Sequence, residues 1–184
     1  MVETKVRILD EVDKNSLGIH LRQLSKNIQG SFPNIRRLVQ VLEKEGIVRT
    51  EPHANLLNIT LKESPQTLAY LKFVHTARFL ALSISQQNAI TDFLSKLPIK
   101  PVIVSIAKDP SQIKLVFQKI ENEKEIQSLA KLISSQYQVK LSAVLIEYAQ
   151  LEHNVSEIQN NSDIILFGVE YYYQLLWRSR HDKV

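Results

Sequence analysis

The chain has 184 residues, of which 44% are hydrophobic and 23% are charged, and its formal net charge is +4. This composition predicts a soluble globular protein with one domain or two small ones. Four widely spaced glycines and no cysteine exclude a glycine-rich phosphate loop, a dinucleotide fingerprint, a cysteine zinc site, a thiol nucleophile and a disulfide framework. The charged N-terminus lacks an apolar signal core, and no apolar run approaches the roughly 18 residues of a membrane span. We therefore expect a cytoplasmic protein with no membrane partner.

Basic residues are concentrated in the first third of the chain. Residues 14–49 contain seven basic and two acidic side chains, an excess of five that is larger than the net charge of the whole chain. The basic residues are Lys14, Arg22, Lys26, Arg36, Arg37, Lys44 and Arg49, and the acidic ones are Glu43 and Glu45. Such a segment is compatible with a polyanionic partner. An ordinary solvated surface is the alternative interpretation.

Apolar residues at helical spacing predict two helices at the N-terminus. The residues with this spacing are Val2, Val6, Leu9 and Val12 for the first helix and Leu17, Leu21, Leu24 and Ile28 for the second. Gly30 is predicted to end the second helix as a left-handed cap, a conformation that glycine adopts readily.

A third helix is predicted from about Phe32 to Lys44. Ser31 is suited to the N-cap, and Pro33 lies in the first turn, where its missing N–H is not needed. Gly46 ends the helix. Two short strands, Ile47–Glu51 and Leu56–Leu61, follow around a turn at residues 52–55.

This order of three helices, a tight turn and a hairpin is the winged-helix arrangement. In that arrangement the third helix enters the major groove of DNA, while the hairpin wing lies along the adjacent backbone or minor groove. We therefore predict double-stranded DNA as the partner.

The two faces of the third helix differ as groove insertion requires. Steps of 100° per residue place four apolar residues on one stripe and five other residues opposite. The apolar stripe is Ile35, Leu38, Val39 and Leu42, and the opposite stripe is Pro33, Arg36, Arg37, Gln40 and Lys44. The predicted DNA contacts are Arg36, Arg37, Gln40 and Lys44, with Ser31 and Asn34 at the helix start and Arg49, His53 and Asn55 on the wing. A solvated amphipathic helix is the alternative, which the flanking turn and hairpin disfavour.

The next segment, Pro65–Ile84, has an unbroken helical pattern with two apolar seams. One seam is Tyr70, Val74, Ala77, Ala81 and Ile84, and the other is Leu68, Leu71, Phe79 and Leu82. A helix that is apolar on two sides needs two partners, so we expect a homodimer through the 64–84 helix. A buried helix in a monomeric core is the alternative. Ser85–Leu97 is predicted to form a further helix.

From Pro98 onward, strand patterns alternate with helical ones. The predicted strands are Val102–Ala107, Gln112–Ile120, Val139–Ile146 and Asp163–Phe167, and the predicted helices are Glu121–Gln136, Ala149–Gln159 and Gly168–Arg180. This alternation predicts a small mixed sheet with helical cover. The whole chain is thus predicted to be α+β, with a winged helix-turn-helix at 1–62, a helical connector that dimerises at 63–97, and an α/β domain at 98–184.

Three segments resemble known families. Ile19-His20-Leu21-Arg22-Gln23-Leu24-Ser25 and Leu42-Glu43-Lys44-Glu45-Gly46-Ile47-Val48 are similar to the helix and the helix-to-wing junction of archaeal winged-helix transcriptional regulators. Ile164-Ile165-Leu166-Phe167-Gly168-Val169-Glu170-Tyr171-Tyr172-Tyr173 is similar to the closing strand and helix of the small nucleotidyltransferase-fold domain that some archaeal proteins carry after such a winged helix. The resemblances imply a transcriptional regulator with a nucleotidyltransferase-like C-terminal domain.

The second resemblance also carries an expectation about chemistry. Active members of that family have a Gly-Ser pair after the first strand and two aspartates, one residue apart, that hold magnesium. This chain has Val104-Ser105 at the first place, and Gln112 and Lys114 at the aspartate positions. The resemblance therefore implies an inactive domain for assembly or ligand sensing, with no metal, no cofactor and no catalytic residue. An unrelated α/β domain would lack the motif as well.

Two further alternatives remain open. The C-terminal domain could be an active nucleotidyltransferase that uses other carboxylates, such as Asp109 or Glu147. The winged helix could instead bind protein, since that fold also mediates protein contacts. A histidine metal site is not expected, because the five histidines have no metal-ligand spacing.

Overall fold

A computed structural model of the chain describes residues 2–15, 17–53, 56–107, 109–151 and 162–181. The fold is mixed α+β, with two sheets among these residues. The chain divides into two compact units, Met1–Val74 and His75–Val184. Within the described ranges, none of the helices combines the length and apolar character needed to cross a membrane.

The first unit begins with helices and ends in a small antiparallel sheet. Its elements are α1 (Val2–Lys14), β1 (Ile19–His20), α2 (Leu21–Asn27), α3 (Phe32–Lys44), β2 (Val48–His53) and β3 (Leu56–Leu61), followed by α4 (Pro65–Leu80), which continues past the unit boundary. The strand order is β1-β3-β2, so β3 is the central strand. Ile59 of β3 is paired with Ile19 on one side and with Thr50 on the other. The predicted first helix, third helix and hairpin are confirmed.

The predicted start of the second helix is wrong. Leu17 is 91% exposed, and the helix begins only at Leu21. Gly18 has a φ of +94°, and a Cβ there would lie 2.5 Å from the Asn58 side chain. The backbone before Leu21 is therefore shaped by the pairing of β1 with β3, which competes with helix formation at these residues.

The prediction that Gly30 forms the left-handed cap of α2 is also wrong, by one residue. Gln29 has the positive φ, +53°, and Gly30 does not. Gly30 N–H donates to Ser25 O, and Gln29 N–H donates to Lys26 O, which is the Schellman pattern. Glycine at position 30 instead allows close packing, because a Cβ there would lie 2.8 Å from the Ile35 side chain.

Helix α3 ends in the same pattern, and here the predicted glycine is correct. Gly46 has a φ of +73°. Its N–H donates to Glu43 O, and Ile47 N–H donates to Leu42 O. The turn sends the chain directly into β2, which places the hairpin next to the end of α3.

The core of the first unit is aliphatic. Its buried members come from the first three helices, from the segment that enters β2, from the sheet and from α4. They are Ile8, Leu9, Val12, Ile19, Leu21, Leu24, Ile28, Ile35, Leu38, Val39, Leu42, Ile47, Val48, Ile59 and Val74. This core holds α3 by one face only.

The predicted unbroken helix over Pro65–Ile84 is wrong at its C-terminal end. Helix α4 stops at Leu80, and α5 (Ile84–Ser95) starts after the N-cap Ser83. Ser83 Oγ accepts a hydrogen bond from Gln86 N–H, and Gln86 Oε1 accepts one from Ser83 N–H, which completes a capping box. These bonds satisfy N–H groups that a continuous helix would bond internally, so the chain breaks here.

The second unit contains a four-stranded mixed sheet. Its remaining elements are β4 (Ile103–Ala107), β5 (Gln112–Phe117), α6 (Glu123–Tyr137), β6 (Ser142–Glu147), β7 (Ser162–Phe167) and α7 (Val169–His181). The strand order is β6-β5-β4-β7, with β5 and β6 parallel and the other pairs antiparallel. Of the helix predicted at Ala149–Gln159, residues 149–151 are helical and the rest lies outside the described residues. The other predicted elements of this unit are confirmed to within a few residues.

The two faces of this sheet are both buried but differ in chemistry. One face packs an aliphatic set that includes Val104 and Ile113 against α5 and α6, around Phe93. On the opposite face, alternation along β4 buries the Ser105 side chain. The second face therefore contains polar groups within a buried layer.

Candidate nucleic-acid interface

Helix α3 presents one apolar and one polar face, as the sequence predicts. Its four apolar-stripe residues are each no more than 2% exposed. The opposite stripe, Pro33, Arg36, Arg37, Gln40 and Lys44, is exposed at every position. Because only the apolar stripe packs into the core, the side chains of Arg36, Arg37, Gln40 and Lys44 face solvent.

The start of α3 adds two further predicted residues to this face. Ser31 is the N-cap, with extended backbone, and its side chain makes no capping hydrogen bond. Its carbonyl accepts the first helical bond, from Ile35 N–H at 3.0 Å. Asn34 is exposed, and its Oδ1 accepts a hydrogen bond from Arg37 Nη2 at 3.3 Å. At the start of α3, the side-chain amide of Asn34 is therefore hydrogen-bonded to Arg37.

A carboxylate that the sequence did not single out as functional fixes α3 to the hairpin. Glu43 Oε1 accepts hydrogen bonds from both the N–H, at 3.0 Å, and the hydroxyl of Thr50 on β2. Two bonds to one carboxylate oxygen hold the helix and the first strand in a defined relation. The sequence signal was weak, because the hairpin register that brings Thr50 to Glu43 is not visible in the chain order.

The second acid of the basic segment is also engaged. Lys5 Nζ lies 2.6 Å from Glu45 Oε1, so α1 contributes a cation that pairs with the C-cap of α3. Glu43 is turned to Thr50, and Glu45 is turned to Lys5. The ion pair with Lys5 compensates the charge of Glu45, whereas Glu43, bonded to the uncharged Thr50, keeps its negative charge beside Lys44.

The structure describes the side chain of one of the three predicted wing residues, Arg49. Arg49 is exposed on β2 and forms an ion pair with Glu51, Nε to Oε1, at 2.8 Å. The backbone of His53 ends β2, while its side chain and all of Asn55 lie outside the described residues. The ion pair lowers the net positive charge that Arg49 offers, so α3 is the stronger part of this surface.

The positions that the nucleotidyltransferase resemblance assigns lie together on the sheet of the second unit. Ser105 on β4 is paired with Lys114 on β5, and Gln112 is two residues before Lys114 on the same face. Among the described residues, no group of three or more His, Cys, Asp or Glu side chains is arranged to hold a metal ion.

The two alternative carboxylates are not brought together. Asp109 precedes the start of β5, whereas Glu147 is paired with Phe117 at its other end. The strand between them spans roughly 16 Å. Hydrogen bonds from the Ser111 side chain and backbone N–H lower the pKa of Asp109 below its ordinary value of 3.8. Asp109 therefore acts as a turn-stabilising residue in this structure.

The predicted dimer seam does not form one continuous exposed face. Val74 is buried in the core of the first unit, and Tyr70 packs against that core. Ala77, Ala81 and Ile84 are exposed, and Ile84 is 75% exposed. The homodimer remains a prediction.

The chain matches no known protein-family model, and no curated protein is significantly similar to it. The functional interpretation therefore depends on the residues themselves. Helix α3 carries the densest set of exposed hydrogen-bond donors and positive charges among the predicted site residues.

Proposed function

We propose that the protein is a DNA-binding transcriptional regulator. In this proposal residues 1–62 form a winged helix, α3 enters the major groove of double-stranded DNA, and the β2–β3 hairpin lies against the adjacent backbone. The observation that carries the proposal is the exposed polar stripe of α3, with Arg36, Arg37, Gln40 and Lys44 opposite a fully buried apolar stripe.

The dimensions and chemistry of α3 support this assignment. Thirteen helical residues extend about 20 Å. Arginine pairs with guanine, glutamine with adenine, and lysine neutralises phosphate. The Glu43–Thr50 bonds, which hold the hairpin beside the helix, support a binding surface made of both elements.

For the second unit, the proposal is a nucleotidyltransferase-like domain without metal chemistry that serves assembly or ligand sensing. Support comes from the sheet register, which places Lys114 directly opposite Ser105. A cation at this place opposes magnesium binding, because it repels the ion where the family has an anionic ligand. The proposed homodimer uses the 64–84 segment, in which Leu80 and Ile84 are more than half exposed.

The proposed function is tested by measuring affinity for random-sequence duplex DNA over a series of salt concentrations. We expect the logarithm of the affinity to fall linearly with the logarithm of the salt concentration, by about 0.9 per phosphate contact. Arg37→Ala should weaken binding to a selected site about tenfold or more, and Lys44→Ala should lower the salt slope by about one.

Arg178→Ala is the matched control, because Arg178 is an exposed arginine on α7. It should leave both the affinity and the slope unchanged. A flat salt response, or an Arg37→Ala protein that binds DNA as well as the unaltered chain, would contradict the proposal.

The two alternatives make different predictions. A protein-binding winged helix would show no salt-dependent DNA affinity, and a protein partner would cover Arg36 and Arg37. An active nucleotidyltransferase would show magnesium-dependent nucleotide turnover that is lost on substitution of Asp109 or Glu147.

A further inference from the structure

The hydrogen bond between Arg37 and Asn34 determines what this end of α3 offers to a ligand. A guanidinium carries donors only, so the atom of Asn34 that faces Arg37 must be its amide oxygen. The amide NH₂ of Asn34 then points away from the arginine. Together the two exposed side chains present several donors, while the asparagine oxygen is engaged.

The remaining acceptors on α3 are distributed unevenly. Glu43 is bonded to Thr50 on the hairpin side. Within α3, all of whose residues are described, Gln40 is the remaining amide, and its oxygen makes no hydrogen bond with a described residue. The exposed surface of α3 therefore presents mainly donors at Arg37 and Asn34, where the asparagine oxygen already accepts one bond, and both a donor and an acceptor at Gln40.

Guanine and adenine present different hydrogen-bonding groups in the major groove. Guanine presents two acceptors, N7 and O6, whereas adenine presents the N7 acceptor beside the N6 donor. The Arg37–Asn34 pair is complementary to the two acceptors of guanine. The Gln40 amide can donate to adenine N7 while it accepts from adenine N6.

The axial spacing of Arg37 and Gln40 on α3 is close to the spacing of successive bases. Arg37 and Gln40 are three residues apart, which is about 4.5 Å along a helix axis. Successive bases of one DNA strand are about 3.4 Å apart. We infer that Arg37, oriented by Asn34, reads guanine and that Gln40 reads adenine at an adjacent base pair. This inference rests on the proposed function and names the sequence that it recognises.

The test is selection of bound sequences from a randomised duplex library with the full chain. The unaltered protein should enrich sites in which a guanine and an adenine occupy adjacent base pairs. Gln40→Glu leaves only acceptors at that position and should shift the preferred base from adenine to cytosine, whose N4 group is a donor. A good bidentate contact discriminates about five- to 150-fold between bases, which sets the size of the expected shift.

Asn34→Ala examines the orienting bond separately. Without Asn34 to hold it, Arg37 should prefer guanine over adenine about five- to tenfold less, while Gln40 keeps its preference. Lys131→Ala, at an exposed position on α6, is the control and should leave the selected motif unchanged.

The outcomes separate this inference from the proposed function. If the chain shows no salt-dependent DNA binding, the proposed function fails. If the chain binds DNA in a salt-dependent manner, the inference is overturned by a selected motif without adjacent guanine and adenine. A Gln40→Glu protein that still selects adenine overturns it too.

Discussion

The polar side chains buried in the two units differ in kind. In Met1–Val74 they include the small hydroxyls of Ser25 and Thr67, which donate hydrogen bonds to backbone carbonyls. In His75–Val184, by contrast, they include the imidazole of His75, which is bonded to the buried phenol of Tyr173. Buried hydrogen bonds of both kinds join elements of the fold to each other. The cations of α3 lie outside this buried bonding and face solvent, where a large partner can contact them.

The buried histidine shows how the second unit uses its polar groups. His75 Nδ1 accepts a hydrogen bond from Ile165 N–H at 3.1 Å, and Nε2 lies 2.9 Å from the Tyr173 hydroxyl. Because Nδ1 is an acceptor, the neutral ring carries its proton on Nε2 and donates it to Tyr173. Among the described residues, β7 is at the edge of its sheet, so His75 satisfies a backbone N–H that no described strand pairs with.

The largest expected effects test whether the two cores are separate. Leu42→Ala should reduce the free energy of unfolding by about 2–5 kcal/mol and Phe93→Ala by about 3–5 kcal/mol, because both side chains are fully buried. Residue-resolved hydrogen exchange should show faster exchange in the first unit for Leu42→Ala and in the second for Phe93→Ala. Leu17→Ala and Leu132→Ala, at exposed positions, are the controls. Equal loss of protection in both units from either core variant would show a single shared core.

The next largest expected effect is on stability and tests the hydrogen bonds of the buried His75. His75→Leu removes an acceptor and a donor, which leaves Ile165 N–H and the Tyr173 hydroxyl without that partner and should cost about 2–4 kcal/mol. His75→Asn keeps an acceptor near the position of Nδ1 and should cost less. Chemical denaturation of the full chain measures both. Equal stabilities for the two variants would mean that the bond to Ile165 contributes little.

Two glycines, one in each unit, have the same φ of +73°. They separate the cost of a left-handed backbone from the cost of a steric clash. A Cβ on Gly46 would meet nothing within 4 Å, so Gly46→Ala should cost only the left-handed conformation, about 1–2 kcal/mol. A Cβ on Gly168 would lie 2.2 Å from the Val102 carbonyl oxygen, so Gly168→Ala should cost more. Thermal unfolding of the two variants decides the order, and the reverse order would contradict this account.

The smallest expected effect concerns the pH dependence of Asp109. Its pKa is lower in the folded chain than the ordinary value of 3.8, because Ser111 donates hydrogen bonds to the carboxylate. The charged form therefore adds stability above pH 3.8, and this contribution is lost as the pH falls through the folded pKa. Asp109→Asn retains the acceptor and removes the charge, so its stability should converge with that of the unaltered chain in acid. A stability difference that grows as the pH falls would contradict this sign.

Periodic local patterns were predictable from the sequence. The apolar spacing of Ile35, Leu38 and Leu42 indicated the buried face of α3, because side chains on one face of a helix repeat about every 3.6 residues. Its bounds were indicated by Ser31 and Gly46. The break before α5 was present in the sequence as Ser83 and Gln86 at capping-box spacing, although the apolar pattern continued across it.

Contacts between distant residues were not predictable in the same way. The strand at Ile19 exists because Ile59 pairs with it, and the Glu43–Thr50 bonds depend on the hairpin register. No local sequence pattern indicates such pairs, since each of these residues could equally be paired or exposed to solvent.

The sequence by itself determined most of the helices, most of the strands and the polar stripe of α3, because these follow from side-chain order along one element. The tertiary structure decided which groups on that stripe are engaged and which polar residues of the second unit are buried. It turned Glu43 and Glu45 toward Thr50 and Lys5, joined Asn34 to Arg37, and placed His75 between Ile165 and Tyr173. Hydrogen bonds and charges depend on distances of a few ångströms between elements, and only packing sets those distances.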